Sequence, residues 1–259
     1  MARSAAAAIA AALILASAAA WLADVFSPAA PPAGTDEPAA VTARGIVIRT
    51  EEAVYASGSE VMVLAVEGAR VSAGGAAAAA SDTRAGLMQA VRECAKADPT
   101  FARECACKAV YAAATGDMSG AMPLAALYEP ENSESFTIVR AEESSIWSEH
   151  TDGMEYLTPG SLDGCTKQDI EALLALAPAE TGAVGKLVTE DRWYFAALCS
   201  SALEPGEECT LRFADFETRA SVAASGSGFA VFTSREHLAD TLALRQCTVE
   251  ILPSDSQRR

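Results

Sequence analysis

The hydrophobic positions follow different patterns in successive parts of the chain. From residue 41 to residue 66, short β-branched runs alternate with turn residues such as Ser57 and Gly58, which is typical of strands. From residue 81 to residue 116, apolar side chains recur at helical spacing. Strand-like runs return at Phe136–Val139 and Ser145–Trp147. The pattern predicts a mainly β fold with a helical insert.

The helical insert is predicted to consist of two helices that meet at a tight corner. Leu87 and Val91 lie on one face of the first helix. Asp98 and Pro99 have the residue types of an N-cap and a first helical position, and Gly116 is a typical helix stop. The sequence therefore predicts a short helical hairpin within residues 81–127.

Two glycine-containing turns flank this insert. In "VLAVEGARVSAGG", Gly68 ends a strand and reverses the chain, and Gly75 allows a second close approach of the backbone. In "HTDGMEYLTP", Asp152 and Gly153 form a two-residue turn signal between short strands. We therefore expect residues 41–80 and 136–165 to be the two halves of one β domain.

A second β unit is predicted for residues 166–253. Thr166 and Asp169 form a near capping box at the start of a short helix. Gly226-Ser227-Gly228 is expected to be a hairpin turn. The predicted strands of this unit are Val184–Val188, Trp193–Leu198, Cys209–Phe213, Phe229–Thr233 and Thr248–Leu252. Residues 254–259 form a polar tail.

The N-terminal residues 1–24 contain an uncharged stretch of about 20 residues, the length that spans a bilayer as a helix. Arg3 precedes this stretch and Asp24 follows it, which favours a cytoplasmic N-terminus and an exported remainder. The small residues Ala16-Ser17-Ala18 also fit a cleaved signal peptide. Either interpretation places the folded part outside the cytoplasm, beyond a Pro- and Ala-rich linker at residues 25–40.

Composition limits the partners. The formal net charge is −16, so the chain repels phosphate backbones and nucleic acid is not an expected partner. The membrane is an expected partner through the N-terminal segment alone. Hydrophobic residues make up 51% of the chain, which is enough to form a packed core.

The order of these features resembles the membrane-fusion proteins, the HlyD-like periplasmic adaptor subunits of efflux and secretion systems. The resemblance covers residues 41–252 and includes "VGKLVTEDRWYFAALC" and "LEPGEECTLRF". Gly68 and Gly75 match the turn glycines of the first half of a lipoyl-like domain, and Asp152 and Gly153 match the turn of the second half. Two features depart from the family: the hairpin is short, and the last β domain of many adaptors has no counterpart.

The resemblance implies a fold and a role. The fold is an N-terminal transmembrane helix, a lipoyl-like β domain split by the helical hairpin, and a β-barrel-like domain. The role is to support an inner-membrane transporter by protein–protein contacts, with self-association of the adaptor. The candidate partner surface is the hairpin tip at Lys96, Asp98 and Pro99. The alternative is a cell-envelope structural or assembly factor with the same fold and no transporter.

Chemical function is not expected. The sequence contains no GxSxG, Walker or GxGxxG motif, so we predict neither an enzyme nor a cofactor. A biotin or lipoate carrier needs a lysine at the turn of the second half, and no lysine occurs between Lys108 and Lys167. A zinc endopeptidase needs several histidine and aspartate ligands, whereas the only histidines are His150 and His237.

The seven cysteines leave alternatives open. They fit small buried hydrophobic side chains, but an exported protein can also form disulfides. A bridge between Cys94 and Cys105 would join the two helices of the hairpin. Cys105-x-Cys107 is not a redox or zinc motif, so a metal site is the least favoured alternative.

Overall fold

The computed structural model describes residues 40–116, 135–200 and 203–253. All of them belong to the compact unit Ala40–Arg259. The predicted membrane segment, nearly all of the linker and the tail lie outside the described residues. Within the described ranges, no helix is long and apolar enough to cross a membrane.

The described part is mainly β, with a helical insert, as the pattern predicted. The α-helices are α1 (Arg84–Ala97), α2 (Pro99–Thr115) and α3 (Lys167–Leu174), and 3-10 helices occupy Pro159–Leu162 and Ala239–Thr241. The first seven strands are β1 (Val41–Ile48), β2 (Glu51–Val54), β3 (Glu60–Val63), β4 (Arg70–Val71), β5 (Ala76–Ser81), β6 (Thr137–Arg140) and β7 (Ser145–Ser148). The others are β8 (Gly185–Val188), β9 (Trp193–Leu198), β10 (Glu208–Arg212), β11 (Glu217–Gly226), β12 (Phe229–Ser234) and β13 (Gln246–Pro253).

Six strands form a closed antiparallel barrel in the order β1-β13-β10-β11-β12-β9. Gly45 pairs with Cys247 on one side and Ala197 on the other. A Cβ at Gly45 would lie 2.4 Å from Cζ of Phe195, so this glycine allows the aromatic ring to fill the barrel. The hairpin turn expected at Gly226–Gly228 joins β11 to β12, where Gly226 pairs with Phe229.

Side chains along the barrel strands point alternately into the barrel and out of it, so they contribute to two apolar cores, an inner one and an outer one. The inner core includes Phe195 and Phe213, whose ring centroids are 5.8 Å apart in an edge-to-face arrangement. The outer core lies between the barrel and α3, where Ile46 and Ile48 of β1 pack with Ile170 and other apolar side chains. The reciprocal capping box of Thr166 and Asp169 fixes the start of α3.

The remaining strands form two smaller sheets that share an apolar core. The four-stranded sheet has the order β2-β8-β7-β4, and the three-stranded sheet has the order β3-β5-β6. Trp147 and Leu187 of the first sheet pack with Ala77 of the second. A Cβ at Gly185 would lie 2.3 Å from Cζ2 of Trp147, so this glycine makes room for the indole ring.

The two helices of the insert lie between β5 and β6 in the chain, and α1 covers the three-stranded sheet. Leu87 and Val91 of α1 are buried with Leu64 and Ala79. The alanines of β5 are small on both faces, which lets α1 approach the sheet closely. α1 therefore forms part of the core of this sheet.

Two strands belong to different sheets from those that the domain boundaries imply. β1 was assigned to the first half of the lipoyl-like domain, but it pairs with β13 and β9 of the barrel. The reason is that Ala43 and Val47 are buried inside the barrel while Ile46 and Ile48 are buried under α3. β8 was assigned to the barrel-like unit, but it pairs with β2 and β7 of the four-stranded sheet.

Candidate functional site

The hairpin corner consists of a single residue between two helices. The Asp98 backbone N–H donates to Cys94 O at 2.9 Å, and its carboxylate accepts from the Thr100 N–H at 2.8 Å. Asp98 thus caps α1 at its end and α2 at its start, while Pro99 occupies the first position of α2, where no N–H is needed. Lys96 pairs with Glu93 at 3.2 Å in a half-exposed position. The corner is therefore held locally and presents polar groups to solvent.

The first glycine turn is tied to the strands that follow the insert. Gly68 has a φ of 73°, and its N–H donates to Trp147 O at 2.9 Å. Gly74, and not Gly75, adopts the second positive φ, at 76°. Gly75 serves a close approach instead, since a Cβ there would lie 2.8 Å from Ser72 O. The hydrogen bond of Gly68 holds the turn beside the four-stranded sheet.

The hairpin corner and this turn border one groove, which we call the corner groove. It has a volume of about 490 Å³ and includes Asp98 on one side and Gly75 on the other. Arg140 lies along it and donates to Gly74 O at 2.8 Å. Phe101 and Glu104 of α2 complete the wall next to the corner. The corner groove therefore combines charges of both signs with an aromatic side chain.

The groove brings together only some of the predicted site residues. Asp98 and Gly75 line it, whereas Gly68, Lys96 and Pro99 do not. Asp152 borders a separate depression with Ala179 and Thr181. Gly153 lies close to the same two residues, since a Cβ there would be 2.9 Å from Ala179 O. The predicted site is thus divided between two places on the molecule.

The prediction that the Asp152-Gly153 turn joins two short strands is wrong. No strand follows it before β8 in the described chain; the next element is the 3-10 helix at Pro159–Leu162. The physical reason is that Met154 and Leu157, just after the turn, are buried in the outer core against the barrel and α3. The chain therefore continues towards the barrel, although Gly153 retains a positive φ of 77°.

The Asp152 carboxylate joins a set of five charged side chains, which we call the buried charge cluster. Its members are Arg49, Glu51, Asp152, Lys186 and Arg245. The side chains of Arg49 and Glu51 are fully buried, and Lys186 and Arg245 are nearly so. Asp152 is the most accessible member, with 18% of its side chain exposed.

Glu51 is the centre of the cluster. Its Oε1 lies 2.6 Å from Arg49 Nε and 3.1 Å from Lys186 Nζ, and its Oε2 accepts from Arg245 Nη2. Arg245 also reaches Asp152, with 2.7 Å between Nε and Oδ2. The remaining arginine N–H groups donate to backbone carbonyls, among them Leu244 O at 3.1 Å and Val47 O at 3.1 Å. The charges are thus paired and hydrogen-bonded, which their burial requires.

The pKa shifts within the cluster result from burial and from the pairing of opposite charges. Burial alone would raise the pKa of Glu51, but Arg49, Arg245 and Lys186 together lower it to about 2. Burial lowers the pKa of Lys186, and the attraction of Glu51 only partly opposes this. Because the pKa of Glu51 is lower in the folded state, its contribution to stability is present above pH 4.5 and is lost as the pH falls towards 2.

Sequence reasoning missed this cluster. Arg49 and Arg245 are almost two hundred positions apart, and neither residue belongs to a motif. Lys186 stands in an apolar run, and that was the available signal, since lysine is rarely buried without a partner.

The cysteines show no sign of an activated nucleophile among the described residues. Cys94 and Cys105 are buried in the hairpin, and burial raises the pKa of each thiol. Cys107, two residues further along α2, is exposed. No group of three or more histidine, cysteine or carboxylate side chains in the described ranges could hold a metal ion. Cys94 and Cys105 are free cysteines in this structure, and the disulfide between them remains the less favoured alternative.

Neither a protein-family model nor a curated protein sequence matches the chain. Among solved structures, the chain is similar to ZneB from Cupriavidus metallidurans at 11% identity and a TM-score of 0.38, covering 83% of this chain and all of that one. It is similar to a MacA-MexA chimeric protein containing the Pseudomonas aeruginosa MexA α-hairpin domain, at 11% identity and a TM-score of 0.36, over 83% of this chain and 79% of that one. The chain is also similar to the membrane fusion protein Spr0693 from Streptococcus pneumoniae R6, at 13% identity and a TM-score of 0.31, over 80% of this chain and 98% of that one.

Proposed function

We propose that this chain is a membrane-anchored, extracytoplasmic adaptor subunit that supports an efflux or secretion transporter through protein–protein contacts. The observation that carries the proposal is the arrangement of the helical hairpin. It is inserted between two strands of the paired smaller sheets, its corner borders the corner groove, and a six-stranded barrel belongs to the same unit. In this proposal, the paired sheets take the place of the lipoyl-like domain of the adaptor architecture.

The corner groove suits a protein segment better than a small substrate. It is about half open to solvent, and its lining includes Arg140 and Glu104, which carry charges of opposite sign, together with the aromatic Phe101. Interfaces between proteins combine aromatic contacts with a charged rim in this way. The nearby thiol of Cys94 remains protonated at neutral pH because burial raises its pKa. We therefore assign this surface to binding rather than to chemistry.

Affinity purification from detergent-solubilised membranes tests the proposal. The tagged full chain should recover a transporter subunit, identified by mass spectrometry. Glu104→Lys places a positive charge in the corner groove beside Arg140, and we expect it to reduce recovery at least about tenfold, since like charges at an interface are costly. Glu190→Lys makes the same charge change at an exposed site outside the groove and should recover the wild-type amount.

Two results would count against the proposal in different ways. If the wild-type chain recovers envelope proteins but no transporter, the alternative of an envelope assembly factor is favoured. If Glu104→Lys recovers as much transporter as Glu190→Lys, the adaptor role stands and the corner groove is not the contact surface.

A further inference from the structure

The buried charge cluster lies where the chain passes between the barrel and the four-stranded sheet. Arg49 directly follows β1 of the barrel, and Glu51 begins β2 of the sheet. Lys186 belongs to β8 of the sheet, and Arg245 directly precedes β13 of the barrel. The ion pairs of Glu51 with Arg49 and Arg245 therefore connect residues at the barrel ends to a strand of the sheet.

Backbone hydrogen bonds flank the same region: one extends the β1–β13 pairing of the barrel, and the other extends the β2–β8 pairing of the sheet. The Val47 N–H donates to Arg245 O at 2.7 Å, and the Thr189 N–H donates to Thr50 O at 3.1 Å. Asp152 adds a third connection, because its loop leaves β7 of the sheet and its carboxylate binds Arg245. Four stretches of chain, which contain Glu51, Asp152, Lys186 and Arg245, thus converge on one small set of charges.

Buried ion pairs contribute less to stability than apolar side chains of similar size would, but they require a defined geometry. Glu51 can satisfy Arg49, Arg245 and Lys186 together only if the ends of β1, β2, β8 and β13 keep their mutual positions. A rotation of the sheet against the barrel would leave a buried charge without its partner, which is strongly unfavourable. Apolar packing across this region, such as that of Val188 of β8 with the inner core of the barrel, has no comparable directionality.

We propose that the buried charge cluster is a joint that fixes the four-stranded sheet to the barrel, so that the two move as one rigid body. Asp152, as the most accessible member, is the position at which this joint can be loosened without removing its centre. The proposal concerns rigidity and does not depend on the presence of a transporter.

Hydrogen exchange of the full chain in detergent, read at single-amide resolution, tests the joint. In Glu51→Gln, the amides of Val47 and Thr189 should exchange at least about tenfold faster than in the wild type, equivalent to about 1.4 kcal/mol of lost local protection. Amides of β11 and β12, which the cluster does not touch, should keep their wild-type rates. Glu52→Gln changes the neighbouring, exposed glutamate and should leave all of these rates unchanged.

Asp152→Asn is the second variant, because Glu51→Gln leaves buried cations with weaker pairing and can prevent folding. It keeps the size of the side chain and removes one charge at the accessible side of the cluster. It should also accelerate hydrogen exchange at the amides of Val47 and Thr189, but by less than Glu51→Gln does. Wild-type rates at these two amides in Asp152→Asn, or equal acceleration in β11 and β12, would overturn the proposal and leave the cluster as a general stabiliser.

Discussion

Gly68 shows how a single residue can shape this fold through its backbone alone. Its φ of 73° is in the left-handed region, and a Cβ built there would meet no atom within 4 Å. The requirement for glycine is therefore conformational, not steric. Its N–H bond to Trp147 O keeps the turn beside the sheet, so a strained residue here would disturb the edge of the corner groove.

We predict that Gly68→Val destabilises the unit by about 1–3 kcal/mol, because a β-branched residue is strained at this φ. Ala69→Val, one position further, should cost less, since Ala69 does not have a positive φ. Thermal unfolding followed by circular dichroism measures both. Equal melting temperatures for Gly68→Val and the wild type would show that the turn tolerates a different conformation.

The site could be predicted from the sequence only where a residue acts locally. Asp98 is recognisable because a cap bonds to residues next to it in the chain. Gly153 does have a positive φ, yet Asp152 is bound to a distant arginine that no local pattern reveals. The buried charge cluster depends entirely on contacts across the chain, so only the folded structure brings it together.

At the scale of elements, α1 is a core element while part of α2 is exposed. Val91 of α1 is fully buried against the three-stranded sheet, whereas Val110 of α2 is 71% exposed. Ser81, the first residue of the predicted insert, is the last residue of β5 and pairs with Glu60 of β3. Replacing residues 81–116 by a loop would therefore remove the end of a strand and uncover the core of its sheet.

We predict that Val91→Asp destabilises the chain by about 3–5 kcal/mol, since it buries an unpaired carboxylate. Val110→Asp makes the same change on the exposed face and should alter stability by less than about 0.5 kcal/mol. Denaturant unfolding of the two variants measures the difference. Similar midpoints for both would mean that α1 does not pack on the sheet in solution.

Helices were easier to predict than strands for a physical reason. The bounds of α1 and α2 follow from local caps and helical periodicity, and both were anticipated closely. β5 is almost entirely alanine, and β11 places Thr218, Ala220 and Val222 inward, so neither strand has a strong apolar alternation. Their strand conformation comes from burial between other elements, which overrides local propensity.

At the scale of the whole molecule, the order of elements was predicted better than their partners. The mainly β fold with a hairpin insert is present, but β1 and β8 exchange sheets relative to the expected domain boundaries. A strand that is buried on both faces, as β1 is, gives no sign of which sheet it enters. This exchange of strands also brings the buried charge cluster together. Arg49 and Glu51 lie where the chain passes from β1 of the barrel to β2 of the sheet, and Lys186 lies in β8 next to them.

The proposed role depends on where the folded unit is located, and a topology reporter tests this most directly. Alkaline phosphatase, which is active only outside the cytoplasm, is fused after Arg259 and assayed in whole cells. Arg3, the uncharged stretch and Asp24 predict an active fusion. The same fusion without residues 1–24 should be inactive. An inactive full-length fusion, together with an active cytoplasmic reporter at the same position, would contradict the extracytoplasmic adaptor.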